Sequence, residues 1–254
     1  MTKCILDFRV RKNIHLTTEH SLLILSVDQP LPEILPGQFA QVRIDNSSVF
    51  LRRPFSIHYV DKKKNELWLL IQVVGEGSRK LYHINKNEIL NLILPLGNSF
   101  SLPKNHKDKI LIIGGGTGIA PLLFLGDYLH KNGFCPNFLF GARNKNYLIP
   151  LKKFETYGNI FITTEDGSTG EKGLVTCHSI LKNHFDMIYC CGPTSMMKAV
   201  ASYAEKNNIP CEVSLENTMA CGFGVCLCCV TDTTEGRVCV CTEGPVFNIT
   251  KLKW

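Results

Sequence analysis

Three features of the 254-residue sequence predict a mixed β and α/β protein. The expected order is an antiparallel β-barrel, a parallel α/β domain and a small cysteine-rich segment. Short β-rich runs at close spacing fill the first part. Apolar strands alternate with helical stretches in the second. Seven of the twelve cysteines crowd into the last. The expected boundaries are 1–105, 106–208 and 209–254.

Composition limits the function classes. An apolar content of 44% with 20% charged residues is ordinary for a globular chain with a sizeable core. The formal net charge is +6. From Cys211 onward three cations face five carboxylates, a net of −2, which leaves +8 on the preceding residues. That basic bias suits phosphate-bearing cofactors. No Lys/Arg run with interleaved aromatics points to nucleic acid. The N-terminus "MTKCILDFRVRKN" has no apolar run of the signal-peptide kind, so a cytoplasmic protein with reduced thiols is expected. The longest uncharged run, Ile110 to Gly126, is short for a membrane span and is broken by glycines and a proline.

In the first segment, "HLTTEHSLLILSV", "GQFAQVRI", "ELWLLIQVV" and "EILNLILPL" read as strands between turn residues. "LRRPFSI" lies among them. Arg53 can bind a phosphate, Pro54 stiffens the strand edge, and the Ser56 hydroxyl can bond a ring nitrogen. By itself the motif reads more readily as an ordinary surface arginine pair. "VVGEGSRKLY" puts Gly77 and Ser78 at a helix start, a second place for an anion.

In the second segment, "KILIIG" reads as a strand and "APLLFLGDYLHKNG" as a helix, with Pro121 in its first turn and Gly133 at its stop. "NFLFGA", "NIFITTED" and "DMIYCCG" are further strands. The last leads into the helical "PTSMMKAVASYAEKNN". The glycine loop "GGGTGIAPL" joins strand to helix, the context of a phosphate-binding turn. It is neither the Rossmann nor the Walker pattern. "CCGPTSMM" repeats the strand-to-helix arrangement, and two such ends form a crevice at a sheet's carboxyl edge. Cys191 is a candidate to lie beside a nicotinamide; Cys190 and Cys191 also read as buried strand cysteines.

In the third segment, Cys221, Cys226 and Cys229 have the spacing C-x4-C-x2-C of a plant-type 2Fe–2S loop, which takes a fourth cysteine further on. Gly222 and Gly224 let the backbone wrap around a cluster and aim N–H groups at sulfur. The distal candidates, Cys239 and Cys241 in "RVCVCTEGPVF", are expected two apart on one strand, facing the same side. Periodicity does not choose between them. A structural zinc site is the alternative use of these thiols. The segment is expected to fold around whatever its cysteines bind.

Together these pieces resemble the ferredoxin–NADP reductase superfamily, in which a flavin barrel precedes a nicotinamide domain. "RPFS" is similar to its Arg-x-aromatic-Ser flavin motif, "GGGTGIAPL" to its pyrophosphate loop, and "CGPTSMM" to its C-G-x-x-x-M motif. The cysteine spacing narrows the resemblance to one branch, the electron-transfer subunits of type B dihydroorotate dehydrogenases. "LPGQF", "LRRPFSI", "GEGS", "LPLGNSF", "EDGSTGEKG" and "CGFGVCLCCV…CTEGPVF" occur in the expected order, nearly end to end.

The resemblance implies an FAD-binding barrel, a Rossmann-like nicotinamide domain and a C-terminal 2Fe–2S domain. FAD contacts are implied at Arg53, Pro54, Phe55 and Ser56, at Leu70, Ile71 and Gln72, and at Gly77 and Ser78. NAD contacts are implied at Gly115, Gly116, Thr117 and Gly118, and at Cys191, Gly192 and Pro193. In this branch the fourth cluster ligand directly precedes x-x-Gly-Pro-Val-Phe. That selects Cys241, so the implied metal ligands are Cys221, Cys226, Cys229 and Cys241. Phe55 stands where relatives vary, Ser78 replaces a common threonine, and Cys228 and Cys239 are additional thiols. No catalytic acid or base is implied. The implied partner is an FMN-containing dihydroorotate dehydrogenase catalytic subunit, in a heterotetramer of two plus two. Electrons would pass from its FMN through the cluster and FAD to NAD+, in pyrimidine (UMP) biosynthesis. A flavin–cluster subunit of an NADH-dependent ferredoxin or sulfide oxidoreductase is the nearest alternative. A zinc-binding interaction module on a degenerate reductase scaffold is the alternative of another class.

Overall fold

The computed structural model describes residues 2–45 and 48–254. Six strands close into an antiparallel barrel. They are β1 (Cys4–His15), β2 (His20–Ser26), β3 (Phe39–Val42), β4 (Arg53–Asp61), β5 (Glu66–Gln72) and β6 (Ile89–Leu96). A short helix, α1 (Glu76–Tyr82), lies between β5 and β6. The order around the barrel is β1-β2-β5-β4-β3-β6. Closure leaves no unpaired strand edge. Phe8 and Val10 of β1 are buried while Asp7, Arg9 and Arg11 between and beside them face out, the period-two pattern of a strand with one wet face. β3 and most of β5 are buried throughout. The Lys62–Lys64 run is the β4–β5 turn, where the Asp61 carboxylate accepts from the N–H groups of Lys63 and Lys64.

The second sheet is built on parallel pairs. β7 (Ile110–Gly115), β8 (Asn137–Ala142), β9 (Asn159–Thr164), β10 (Glu171–Lys172), β11 (Met187–Cys191) and β12 (Cys211–Ser214) all run the same way. α2 (Leu122–Lys131) connects β7 to β8, and α3 (Thr194–Lys206) connects β11 to β12. The strands read as continuous apolar runs because helices cover their faces. Phe138, Phe140 and Phe154 pack ring against ring in this core, with centroids 4.8–5.7 Å apart. The apolar run from Ile110 divides, as expected, into a strand, a turn and a helix. Among the described residues no helix is long and apolar enough to cross a membrane.

The last segment contributes β13 (Val230–Thr233), β14 (Gly236–Cys239), a single helical turn α4 (Val240–Glu243), and β15 (Val246–Asn248). β13 and β14 form a two-stranded ribbon. β15 pairs antiparallel with β12 and completes a seven-stranded sheet, β10-β9-β8-β7-β11-β12-β15. The chain divides into two compact units. One holds the chain up to Ser99 with Asn217–Thr231 and Arg237–Pro245. The other holds Phe100–Glu216, Asp232–Gly236 and Val246–Trp254. The cysteine loop thus belongs to the barrel unit, while β12 and β15 belong to the sheet.

Cys239 and Cys241 do not share a strand: β14 stops at Cys239, and Cys241 lies in the helical turn α4. The alternation argument therefore does not apply to this pair.

In the α/β unit, the Tyr189 ring is fully buried, stands edge-on to Phe100, and donates its hydroxyl to the Ser101 carbonyl at 2.7 Å. Burial raises the Tyr189 hydroxyl well above the ordinary tyrosine range. Tyr189→Phe leaves the packing and removes that hydrogen bond. A loss of about 1 kcal/mol is expected, read as a lower midpoint in denaturant unfolding.

Candidate functional site

Within the barrel unit a cleft of about 580 Å³ opens between the start of β4 and the β5–α1 turn. Of the residues marked in the sequence for flavin, Arg53, Pro54, Phe55, Gln72, Gly77 and Ser78 line it. Ser56 is half-buried further along β4. Leu70 and Ile71 are buried on β5 and pair with Leu22 and Ser21 of β2, and neither side chain lines the cleft. The two arginines separate. Arg52 donates to the Asn91 carbonyl at 2.9 Å and is held by the barrel wall. Desolvation lowers its pKa, with the neighbouring Arg43 adding to the shift. Arg53 faces the cleft, where a phosphate can meet its guanidinium.

The Ser78 hydroxyl is occupied. It accepts from the N–H groups of Val74 and Gly75, and so caps α1 at the edge of the cleft. Sequence reading missed the opposite wall, Ser48 to Leu51. Ser48 donates its N–H and hydroxyl to Glu76, which holds that carboxyl below its ordinary range and ties the wall to α1. Phe50 is 97% exposed on this wall. An aromatic face beside a cleft offers stacking to a planar ring. Its only signal in the sequence was an aromatic residue inside a polar turn.

In the α/β unit the sheet order reverses between β7 and β11, which are adjacent and parallel. Ligands bind at such switch points in open α/β sheets. The two marked loops meet there. A Cβ on Gly118 would lie 2.4 Å from the Gly192 Cα and 2.5 Å from the Cys191 carbonyl oxygen. Only a residue without a side chain permits that approach. Met196 covers the junction, with its sulfur against Gly115 and its methyl against Gly192. Gly116, Thr117 and Pro193 remain solvent-accessible at this edge. α3 starts here, directly after the exposed Pro193, without a side-chain cap, whereas α2 begins further on, at the buried Leu122. The first-turn N–H groups and positive dipole end of α3 suit a pyrophosphate. The Cys191 thiol is fully buried. Burial first, and then the Glu216 carboxylate, push its pKa well above the usual thiol range. It is a neutral packing group at the carboxyl edge of β11, as is Cys190 deeper in the strand.

The cysteine loop lies in the barrel unit. The Cys221 sulfur accepts from the N–H groups of Phe223 and Cys226 at 3.3 and 3.5 Å. Cys226 accepts from Cys221 at 3.5 Å, Cys229 from Cys241 at 3.4 Å, and Cys241 from Gly224 at 3.1 Å. All four sulfurs marked as ligands thus receive a backbone N–H. Desolvation pushes the Cys221 thiol up, but these N–H donors outweigh it and bring it below the usual range. The Cys241 thiol goes the other way, pushed up to about 12 by desolvation first and by the neighbouring Cys229. A thiolate stabilised as at Cys221 is the donor an iron–sulfur cluster takes. Cys239 differs: its thiol points to the Gly224 carbonyl at 3.9 Å. Cys228 is exposed. Among the described residues no three ligating side chains converge on a single ion position. A two-iron cluster, with two thiolates to each iron, does not impose that convergence.

Gly118→Ala forces a methyl into backbone. Overpacking of this kind costs about 1–3 kcal/mol. The expected outcome is a lower unfolding temperature and flavin reduction by NADH slowed about tenfold or more, which corresponds to about 1.4 kcal/mol. Stopped-flow bleaching of the flavin measures it.

Comparison with known proteins now bears on this geometry. The family model described as the iron–sulfur cluster binding domain of dihydroorotate dehydrogenase B matches residues 216–253. The oxidoreductase NAD-binding domain matches residues 112–202. The dihydroorotate dehydrogenase B (NAD(+)) electron transfer subunit of Caldanaerobacter subterraneus subsp. tengcongensis is 38% identical over 219 residues, covering 84% of each chain. The protein of the same name from Streptococcus pneumoniae is 35% identical over 217 residues, again 84% of each. Among solved structures, a chain of the NADH-dependent reduced ferredoxin-NADP oxidoreductase is 27% identical with a TM-score of 0.87, covering 97% of this chain and 90% of that one. The ferredoxin reductase of carbazole 1,9a-dioxygenase shares the fold, at 19% identity and a TM-score of 0.70, covering 83% of this chain and 68% of that one. With this identity over most of its length, the chain belongs to the family of dihydroorotate dehydrogenase B (NAD(+)) electron transfer subunits.

Proposed function

We propose that this chain carries electrons between a dihydroorotate dehydrogenase catalytic subunit and NAD+, in pyrimidine biosynthesis. The observation that carries this reading is the loop in which four cysteine sulfurs each accept a backbone N–H, set in the same compact unit as the barrel cleft. Flavin chemistry joins hydride exchange with nicotinamide to single-electron exchange with an iron–sulfur cluster.

The chain's own residues provide the holding. Arg53 neutralises the flavin's phosphate, and Pro54, Phe55, Gln72 and Gly77 shape the cleft around it. Phe50 offers its exposed face to a planar ring. Gly115 to Gly118, with Gly192 and Pro193, let the nicotinamide dinucleotide approach the backbone, and the α3 N-terminus meets its pyrophosphate. Cys221, Cys226, Cys229 and Cys241 hold the 2Fe–2S cluster. Phe223, Val225 and Leu227 are exposed between these ligands, and Lys3 lies over the Phe223 ring at 5.3 Å. They give the loop an apolar rim on which an FMN-bearing catalytic subunit seats, in an assembly of two plus two. The three segments 1–105, 106–208 and 209–254 then act as flavin, nicotinamide and cluster modules, in the cytoplasm.

The deciding experiment isolates the native complex anaerobically, adds dihydroorotate and NAD+, and follows NADH absorbance. Formation of NADH supports the reading. A complex that fails this but reduces an artificial acceptor with NADH would remove dihydroorotate. It would favour the ferredoxin-type acceptor suggested by the 27%-identical oxidoreductase.

Two variants test the residue assignments. Arg53→Ala removes a charge-assisted contact worth about 1.5–3 kcal/mol, so the FAD dissociation constant rises roughly tenfold or more, read by flavin fluorescence. Cys221→Ser removes a cluster ligand. Electron passage between the subunits stops while NADH still reduces the FAD, as separate single-turnover assays would show.

A further inference from the structure

Gln41 sits in the middle of β3 with no exposed surface. Neither its Nε2 nor its Oε1 has a hydrogen-bond partner. Only two other residues among the described ones carry a buried unpaired side-chain atom, Asn13 and Ser21. Asn13 still donates twice, to the carbonyls of Tyr82 and Ile84. Gln41 is the one whose entire carboxamide is unpaired. A buried polar group in that state costs about 1–3 kcal/mol. Its surroundings show where a partner belongs. A Cβ placed on Gly222 would lie 3.1 Å from the Gln41 Cγ and 3.2 Å from its Nε2. The carboxamide therefore lies against the cysteine loop at Gly222, the residue after Cys221. On the barrel side Gln41 is the register partner of Pro54, on the strand that lines the flavin cleft.

We infer that Gln41 is a positioning residue for the iron–sulfur cluster: its Nε2–H donates to a sulfur of the cluster held by the Cys221–Cys229 loop. The inference rests on the ligand set proposed above. The loop already surrounds its sulfurs with backbone N–H donors, and Gln41 adds one from the barrel wall. Loading the cluster supplies the acceptor that the buried amide lacks. Gly222, at φ +78° and without a side chain, lets the loop settle onto the amide. An N–H···S bond favours the reduced, more negative cluster and so raises its reduction potential.

The test is a spectroelectrochemical titration of the intact complex, comparing wild type with Gln41→Leu and Gln41→Met, with iron content measured alongside. The expected result is a cluster potential shifted to more negative values, an unchanged FAD potential and full iron content. An unchanged cluster potential in a variant that keeps its iron and unfolds at a higher temperature would overturn the inference, since the amide would then have no partner. A shift confined to FAD would also overturn it and move the amide to the flavin. Should neither variant load, pulsed EPR of the reduced wild-type cluster with glutamine side chains carrying heavy nitrogen gives the answer. Coupling to a side-chain amide supports the inference, and its absence overturns it. A wild-type complex without iron would overturn both the ligand set and the inference.

Discussion

Backbone N–H groups aimed at sulfur are the constraint on which the rest of the barrel unit depends. A loop that surrounds four cysteines has no core of its own to hold its shape. Here the hydrogen bonds from Phe223, Gly224, Cys226 and Cys241 to cysteine sulfur fix it. At Cys221 these bonds favour thiolate over thiol. The barrel gives the loop its seat. Leu96 and Gln41 lie beneath Gly222, and the Gly244 carbonyl accepts from the Asn98 N–H at 2.6 Å. Cluster loop and flavin cleft therefore share one compact unit although the sequence separates them by more than a hundred residues.

The α/β unit solves a different problem with similar means. Two parallel strands end side by side, and each must turn into a helix without blocking the edge between them. Gly118 and Gly192 make the approach possible, and Met196 fills the space above. The uncapped start of α3 then leaves N–H groups for an anion. Burial keeps the Cys191 thiol neutral beside this edge, so the site holds and orients by backbone and a helix end.

The extra thiols show how spacing and geometry divide the work. Cys239 and Cys241 are indistinguishable by period. The structure separates them because a strand ends between them. Cys241 enters a helical turn and accepts from Gly224, while Cys239 turns to a carbonyl.

The sequence by itself determined the barrel, the parallel sheet, the glycine turn and the cysteine spacing. Each is a local pattern of side chains repeated at the period of its own element, and local sterics and burial enforce it. Arg53, Gly118 and Cys221 were legible for that reason. Only the tertiary structure decided the Ser48–Leu51 wall, the capping role of Ser78, the recruitment of β15 beside β12, and the unpaired amide of Gln41 beneath Gly222. These depend on residues far apart in the chain, and no local period records which side chain will lie under which loop. A buried glutamine reads in sequence as one polar residue in a strand. It becomes a site only when folding removes every other partner from its reach.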